Sequence, residues 1–420
     1  MLFPTTLFTK DPAIIQGLMD GSLRRAGGVI RETATGRIVR HLAETPGWTK
    51  HLINLPIHPI TGGTSLVTEV VGQTVTIHKI GQVQQTLQIT NQMLSQVMGL
   101  SQIAAGASVL NLGVSVAGFA YMGYKLHQLQ KSMNAMQQVM ETGFSRVENK
   151  LDYISGQLDY IKLIVEDNRQ KQIQLARDIA DFHKAFLVKE VSDLQAAIAN
   201  RSRFPESSFN EDLKTANSAR NFLSNQAIGI NPSLDPRDIL IADVAIQGWA
   251  IATTTEAYIL LETGHILDAR QILEVEISRF KSLASQWVEQ LLNDGRPELA
   301  TAQRFSAERF SGLIANERIE RIASLSPFDK SLTEAQQQRK VDDVEVEFEM
   351  SYSSYINDDW INRQVAHAEY MDTLSELFYR IESMEAFASL CDQAGVKSSR
   401  ELMPDDSYEP GLYTLNPSPE

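Results

Sequence analysis

Ile103-Ala-Ala-Gly-Ala-Ser-Val-Leu-Asn-Leu-Gly-Val-Ser-Val-Ala-Gly-Phe-Ala-Tyr-Met-Gly123 is an apolar run of 21 residues with no charge. A bilayer-spanning helix needs about 20 mostly apolar residues at about 1.5 Å rise each, so the run is long enough to cross. It lies in a wider gap. Residues 80–124, 45 positions between Lys79 and Lys125, contain no Asp, Glu, Lys or Arg, in a chain that is 21% charged. Whether this gap meets lipid or packs against protein decides how the whole chain is organised.

Within the gap, Gly99, Gly106 and Gly113 are seven apart and fall on one helical stripe, with Ala117 one turn beyond. A stripe of small residues lets a neighbouring backbone come close, as in membrane helix packing. Val109, Leu110 and Val116 supply apolar bulk, and Phe119, Tyr121 and Tyr124 gather before Lys125 as aromatic residues do at a lipid–water boundary. Asn111, Ser108, Ser115 and the glycines lower the drive to insert, which points to conditional rather than permanent insertion. On the N-terminal side, Val83, Leu87, Leu94 and Val97 keep a helical spacing among Gln, Thr, Asn and Ser, so residues 82–98 read as an amphipathic helix with an uncharged polar face.

On the C-terminal side a heptad pattern starts: Leu126, Leu129, Met133, Met136 and Met140, a stutter to Phe144, then Val147, Leu151, Ile154, Leu158, Ile161 and Val165, and on to Phe186. As one helix, residues 126–186 would extend roughly 90 Å. Polar Asn168 and Gln172 at seam positions would set register or strand number. Leu126, Met133, Leu151, Leu158, Asn168 and Gln172 are therefore the candidate oligomerisation residues. A long helix inside a bundle, with no intermolecular partner, is the other interpretation.

Further out, residues 1–80 form a small mixed or β-containing module. Gly27-Gly28-Val-Ile-Arg-Glu-Thr-Ala-Thr-Gly36-Arg-Ile-Val-Arg-His41 gives two short strands around a Thr-Ala-Thr-Gly turn, and Val/Thr/Ile-rich residues 66–80 a further strand or hairpin. Arg201-Ser-Arg-Phe-Pro205 ends the heptad helix. An α-helical domain over 206–400 follows, with helices expected at 208–226, 236–263, 267–293, 297–325, 331–342 and 358–394. Ala257–Leu273 resembles the helix–turn–helix of a tetratricopeptide repeat, as a single unit. Val344-Glu-Val-Glu-Phe-Glu-Met350 alternates with period 2 and suggests a strand or extended edge, although its glutamates also fit a helix. Residues 401–420 read as a flexible tail. The expected fold class is mainly α: a small β-containing N-terminal module, an uncharged helical segment over 81–124 expected to act on membranes, a long coiled-coil-like helix over 125–200, and a C-terminal helical bundle.

Charge narrows the function. Residues 1–130 hold nine Lys/Arg and five Asp/Glu; the remaining 29 and 47 follow, for a net −14. So acidic a chain argues against nucleic acid as a partner, because phosphate contacts need clustered cations. The N-terminal arginines Arg24, Arg25, Arg31, Arg37 and Arg40 suit a solvated face, or contact with phosphate or anionic lipid. The single cysteine, Cys391, allows no disulfide framework and reads as a buried structural thiol. No signal-peptide pattern opens the chain, so synthesis in the cytoplasm is expected, with membrane association after a trigger. Phosphate loops, dinucleotide fingerprints and nucleophile elbows are absent from the sequence, and no cofactor or metal is expected. The acidic cluster Asp342, Asp343, Glu345, Glu347, Glu349, Asp358 and Asp359 is the best candidate for metal-dependent hydrolysis, against the simpler interpretation of a solvated face.

Over Gln82–Phe186, about a quarter of the chain, the apolar segment joined to a heptad stalk resembles bacterial α-helical pore-forming toxins and membrane-targeting defence effectors. The resemblance is architectural. It implies a non-enzymatic effector that shelters its apolar segment, oligomerises with itself, and inserts into a bilayer on a signal from a protein trigger. The competing expectation is a soluble homo-oligomeric scaffold or sensor with residues 103–123 as bundle core.

Overall fold

The computed structural model describes residues 12–44, 188–204, 208–234, 236–293, 295–314, 316–350, 358–403 and 412–415. The uncharged gap, the expected strand at 66–80 and the heptad positions through Phe186 lie outside these residues. In chain order come α1 (Pro12–Met19), β1 (Leu23–Ala26), β2 (Val29–Glu32), β3 (Ile38–Glu44), α2 (Val188–Arg203), α3 (Asn210–Gly229), α4 (Pro236–Glu262), α5 (Ile266–Leu292), two 3-10 turns (Ala302–Ser306, Glu308–Phe310), α6 (Asn316–Leu325), α7 (Pro327–Lys330), α8 (Glu334–Met350), α9 (Asp358–Gln393), a 3-10 turn (Ser399–Glu401) and β4 (Leu412–Leu415). The described fold is mainly helical, with a small antiparallel sheet.

Helix α4 is the hub. Every residue from Ile241 to Ala257 is buried, so it is covered all round rather than along one stripe. It packs against α3, α5 and α9, while α9 also carries α5 and α6. Small residues allow this: a Cβ on Gly248 would sit 2.9 Å from Leu223 Cδ1 on α3. Thr253, Thr254 and Thr255 satisfy their buried hydroxyls by donating to the carbonyls of Trp249, Ala250 and Ile251 one turn back. Trp249, Trp287, Phe280, Phe305, Phe310 and Tyr370 fill the core around it. The turn Thr263-Gly264-His265 joins α4 to α5 with Gly264 at φ +86°. Each of these helices has 27 residues, so the pair is a long helical hairpin and outruns a 34-residue tetratricopeptide unit.

Two expected elements come out differently. The helix expected at 297–325 is broken into the 3-10 turns and α6. Thr301 caps the first turn by accepting from Gln303 N, and the wholly buried Arg304 takes up the carbonyls of Leu291, Leu292 and Leu299. Gly312, at φ +77°, then turns the chain before α6. The stretch Val344–Met350, expected as a strand or extended edge, is the last part of α8, which thereby outruns the helix expected at 331–342. Val344 and Phe348 are buried at i and i+4, while Val346 and Met350 are exposed. A period-2 pattern this short contains a helical pair as well.

The sheet has the order β1-β2-β3-β4, all antiparallel. Thr33–Gly36 makes the expected turn, with Gly36 N donating to Glu32 O. β4 was not expected: Leu412–Leu415, inside the stretch read as a flexible tail, pairs with β3 through His41↔Leu415, Leu42↔Thr414, Ala43↔Tyr413 and Glu44↔Leu412. The N-terminal module is likewise not separate. Gly27, at φ +57°, lies so close to α9 that a Cβ would meet Tyr379 O at 2.4 Å. Gly27→Ala is therefore expected to push the β1–β2 hairpin off α9. The left-handed conformation alone costs about 1 kcal/mol for a residue with a Cβ, and the backbone clash adds to it. Limited proteolysis near residues 27–36 should accelerate in the variant, with the bundle helices still protected.

Candidate functional site

Helix α9 is a spine whose side chains gather one of two buried polar networks. Along it run Asp372, Glu376, Arg380, Glu382 and Ser383. Asp372 accepts from Arg318 Nε at 3.0 Å and Arg321 Nε at 2.6 Å, which ties α6 down. Glu376 accepts from Arg25 of β1 at 2.8 Å and from Arg380 at 2.6 Å. Arg31 of β2 reaches Glu382 at 2.7 Å. Gly28 N donates to Ser383 Oγ at 2.9 Å, and that hydroxyl donates to Tyr379 O at 2.6 Å. Burial works to raise Glu376, but Arg25, Arg380 and Arg321 outweigh it and hold the carboxyl below the usual range. The Glu376 carboxylate therefore stays charged at neutral pH.

A second network fills the α3–α4–α5 interface. Glu276, 1% exposed, accepts from Arg220 at 2.7 Å, Trp249 Nε1 at 2.7 Å and Arg279 at 2.9 Å. Glu256 accepts from Arg220 Nε at 2.6 Å and Asn217 at 2.9 Å. Arg220 thus joins both carboxylates and ties α3 to α4 and α5.

The acidic cluster of α8 does not converge. Glu347 pairs with Arg296, Glu345 accepts from Glu308 N at 2.7 Å, and Asp343 pairs with Lys340. Among the described residues, no group of three or more His, Cys, Asp or Glu could hold a metal ion. Cys391 is buried, as expected, and burial pushes its thiol up to about 12, so it stays protonated. His41 on β3 and His367 on α9 are held neutral: burial first, then nearby arginine (Arg31; Arg304 and Arg363), pulls them down to about 4 and about 3.

Every membrane-facing and oligomerisation residue expected from the sequence, from Gly99 to Gln172, lies outside the described residues. On either side of it, Glu44 is paired in the sheet and Val188 opens a helix that buries Leu194 and Ala197. Arg25 and Arg31, expected on a solvated face or against phosphate, instead clamp the sheet to α9. Their partners lie 351 residues away, and no local pattern signals such pairs. No protein-family model matches this chain, and no curated protein or solved structure matches it either.

Proposed function

We propose that this protein is a non-enzymatic, membrane-acting effector that oligomerises through its heptad segment and inserts its uncharged segment into a bilayer on a trigger. The observation that carries this is the 45-residue run without charge, with its apolar half and glycine stripe. The described helices leave that role to it: none of them is long and apolar enough to cross a membrane. The arginine-locked carboxylates of α9 and of the bundle core favour a structural body over an active site.

The test is flotation of purified protein with anionic and neutral vesicles. Wild type should float. Val109→Asp should stay in the soluble fraction with its far-UV spectrum and thermal unfolding unchanged. An Asp at mid-bilayer costs about 2.5–3.5 kcal/mol, roughly a 100-fold loss of partitioning. If wild type never floats and Gly106→Leu changes only the size of a soluble oligomer, the scaffold alternative takes its place.

A further inference from the structure

His41 lies within the sheet on β3, opposite Val29 of β2 and Leu415 of β4. It is 3% exposed, and its ring stands 6.5 Å from that of Phe387 on α9. Among the described residues its Nδ1 has no hydrogen-bond partner. The Arg31 guanidinium on β2 is close enough to oppose its protonation. The elements packed about it also carry Arg25 on β1, Arg40 on β3 itself, and Glu376, Arg380 and Glu382 on α9. Both of these carboxylates are engaged, Glu382 by Arg31 and Glu376 by Arg25 and Arg380. β4, Leu-Tyr-Thr-Leu, adds no group that titrates in acid. A proton on His41 therefore places a second cation beside Arg31 in a site closed to water, which is strongly unfavourable while the site stays closed.

The seam between the sheet and α9 can part without orphaning the groups that tie it. Arg25 reaches Glu376 across the seam, but it also donates to Gly27 O on its own hairpin at 3.0 Å. Arg31 reaches Glu382, and also Gly36 O at 3.2 Å. On the other side, Glu376 keeps Arg380 at 2.6 Å, and Ser383, which accepts from Gly28 N, keeps Tyr379 O at 2.6 Å. The Glu382 side chain is 30% exposed and reaches water. Each tie thus has a second partner on its own side, so the penalty of an uncompensated buried charge does not bar separation. The bonds that hold the helices to one another are others: Asp372 with Arg318 and Arg321, and Glu276 with Arg220. We infer that the sheet is a separable latch on α9, opened by protonation of His41 while the helices stay folded. Parting exposes Val29, Ile30, Leu42 and Ala43, and hydration of the imidazolium offsets that loss in acid. Burial and Arg31 pull the closed-state imidazole down to about 4, and once exposed it returns to its ordinary 6.5. The open form therefore binds the proton more tightly, and the ratio of open to closed rises about 20-fold from pH 7 to 5.

The test follows one distance. Spin labels on Ala34→Cys, in the exposed β2–β3 turn, and Gln271→Cys, on the exposed face of α5, report the sheet against the bundle; buried Cys391 stays unlabelled. Double electron–electron resonance should give a single narrow distance at pH 7.5. A second, longer population should grow between pH 6 and 4.5 with the far-UV helix signal unchanged, and it should vanish on return to neutrality. A single distance that persists until the helix signal itself is lost would overturn the latch, because sheet and bundle would then come apart only by unfolding together. His41→Gln in the same labelled protein should keep the single distance throughout. Opening of that variant at the wild-type pH would assign the effect to carboxylates and overturn the role of His41. Should His41→Gln not fold, His367→Gln decides, since it retains His41: opening at the wild-type midpoint supports the latch, and loss of opening overturns it.

Discussion

Acidification from neutrality to about pH 4.5 is expected to destabilise the folded body by roughly 5 kcal/mol, most of it through two histidines. Burial, then Arg31, holds His41 down to about 4; burial, then Arg304 and Arg363, holds His367 down to about 3. In the unfolded chain each protonates near its ordinary value of 6.5. Between about 6.5 and 4 the unfolded state therefore binds protons that the folded state refuses, and stability falls as pH falls. At pH 4.5 each histidine sits about two pH units into that window, which is about 2–3 kcal/mol apiece. Glu376 works in a different range. Its folded carboxyl is held low, so the stability it contributes is present above its ordinary value of 4.5 and is lost only as pH falls below that. Urea midpoints measured from pH 7.5 to 4.5 check this. His41→Gln should remove about half the slope, and His41→Gln with His367→Gln most of it; an unchanged slope in the double variant would assign the effect to carboxylates. His41 stands on β3, the strand that pairs with both β2 and β4, so acid weakens the sheet from within.

The bundle was legible in the sequence where punctuation and periodicity agreed. Pro236 and Gly264 bracket α4, the Gly264 turn and the apolar spacing after it set α5, and α9 runs as expected from Asp358 almost to its expected end. A helix end was expected at Arg201–Pro205, and α2 ends at Arg203. The turn at Thr33–Gly36 was legible because its residues tolerate tight geometry between two β-rich flanks.

What the sequence hid was long-range. The 3-10 turns depend on Arg304 reaching back to carbonyls at the end of α5, which no local window contains. β4 is four residues long in a Pro-rich tail, and only β3, about 370 positions earlier in the chain, makes it a strand. The clamp residues Arg25 and Glu376 look like ordinary surface charges until the fold joins them. The N-terminal module and the C-terminal helices were expected as separate domains; among the described residues Arg25–Glu376, Arg31–Glu382 and the β3–β4 ladder join β1–β3 to α9 and β4.

The other large effect is expected at Glu276. Its carboxylate, 1% exposed, is the common acceptor for Arg220, Arg279 and Trp249, and Arg220 also holds Glu256. Glu276→Ala leaves a largely buried guanidinium with half its partners and a buried indole N–H with none. Breaking a buried pair from one side costs about 3–5 kcal/mol, and the urea midpoint should fall accordingly. The thermal midpoint should drop by roughly 10 °C. Replacing the pair together, as Glu276→Met with Arg220→Met, removes the uncompensated charge as well as the bonds, and should lose less than the two single variants combined. Glu256 then retains only Asn217 among its named partners, so a triple variant with Glu256→Gln should recover more. Strict additivity across this series would mean the residues act independently. Coupling would mean that one network fixes α3, α4 and α5 against each other. That distinction bears on the membrane proposal. A body locked at its core through Glu276 and at its edge through Glu376 can stay folded while the uncharged segment of the proposal changes environment.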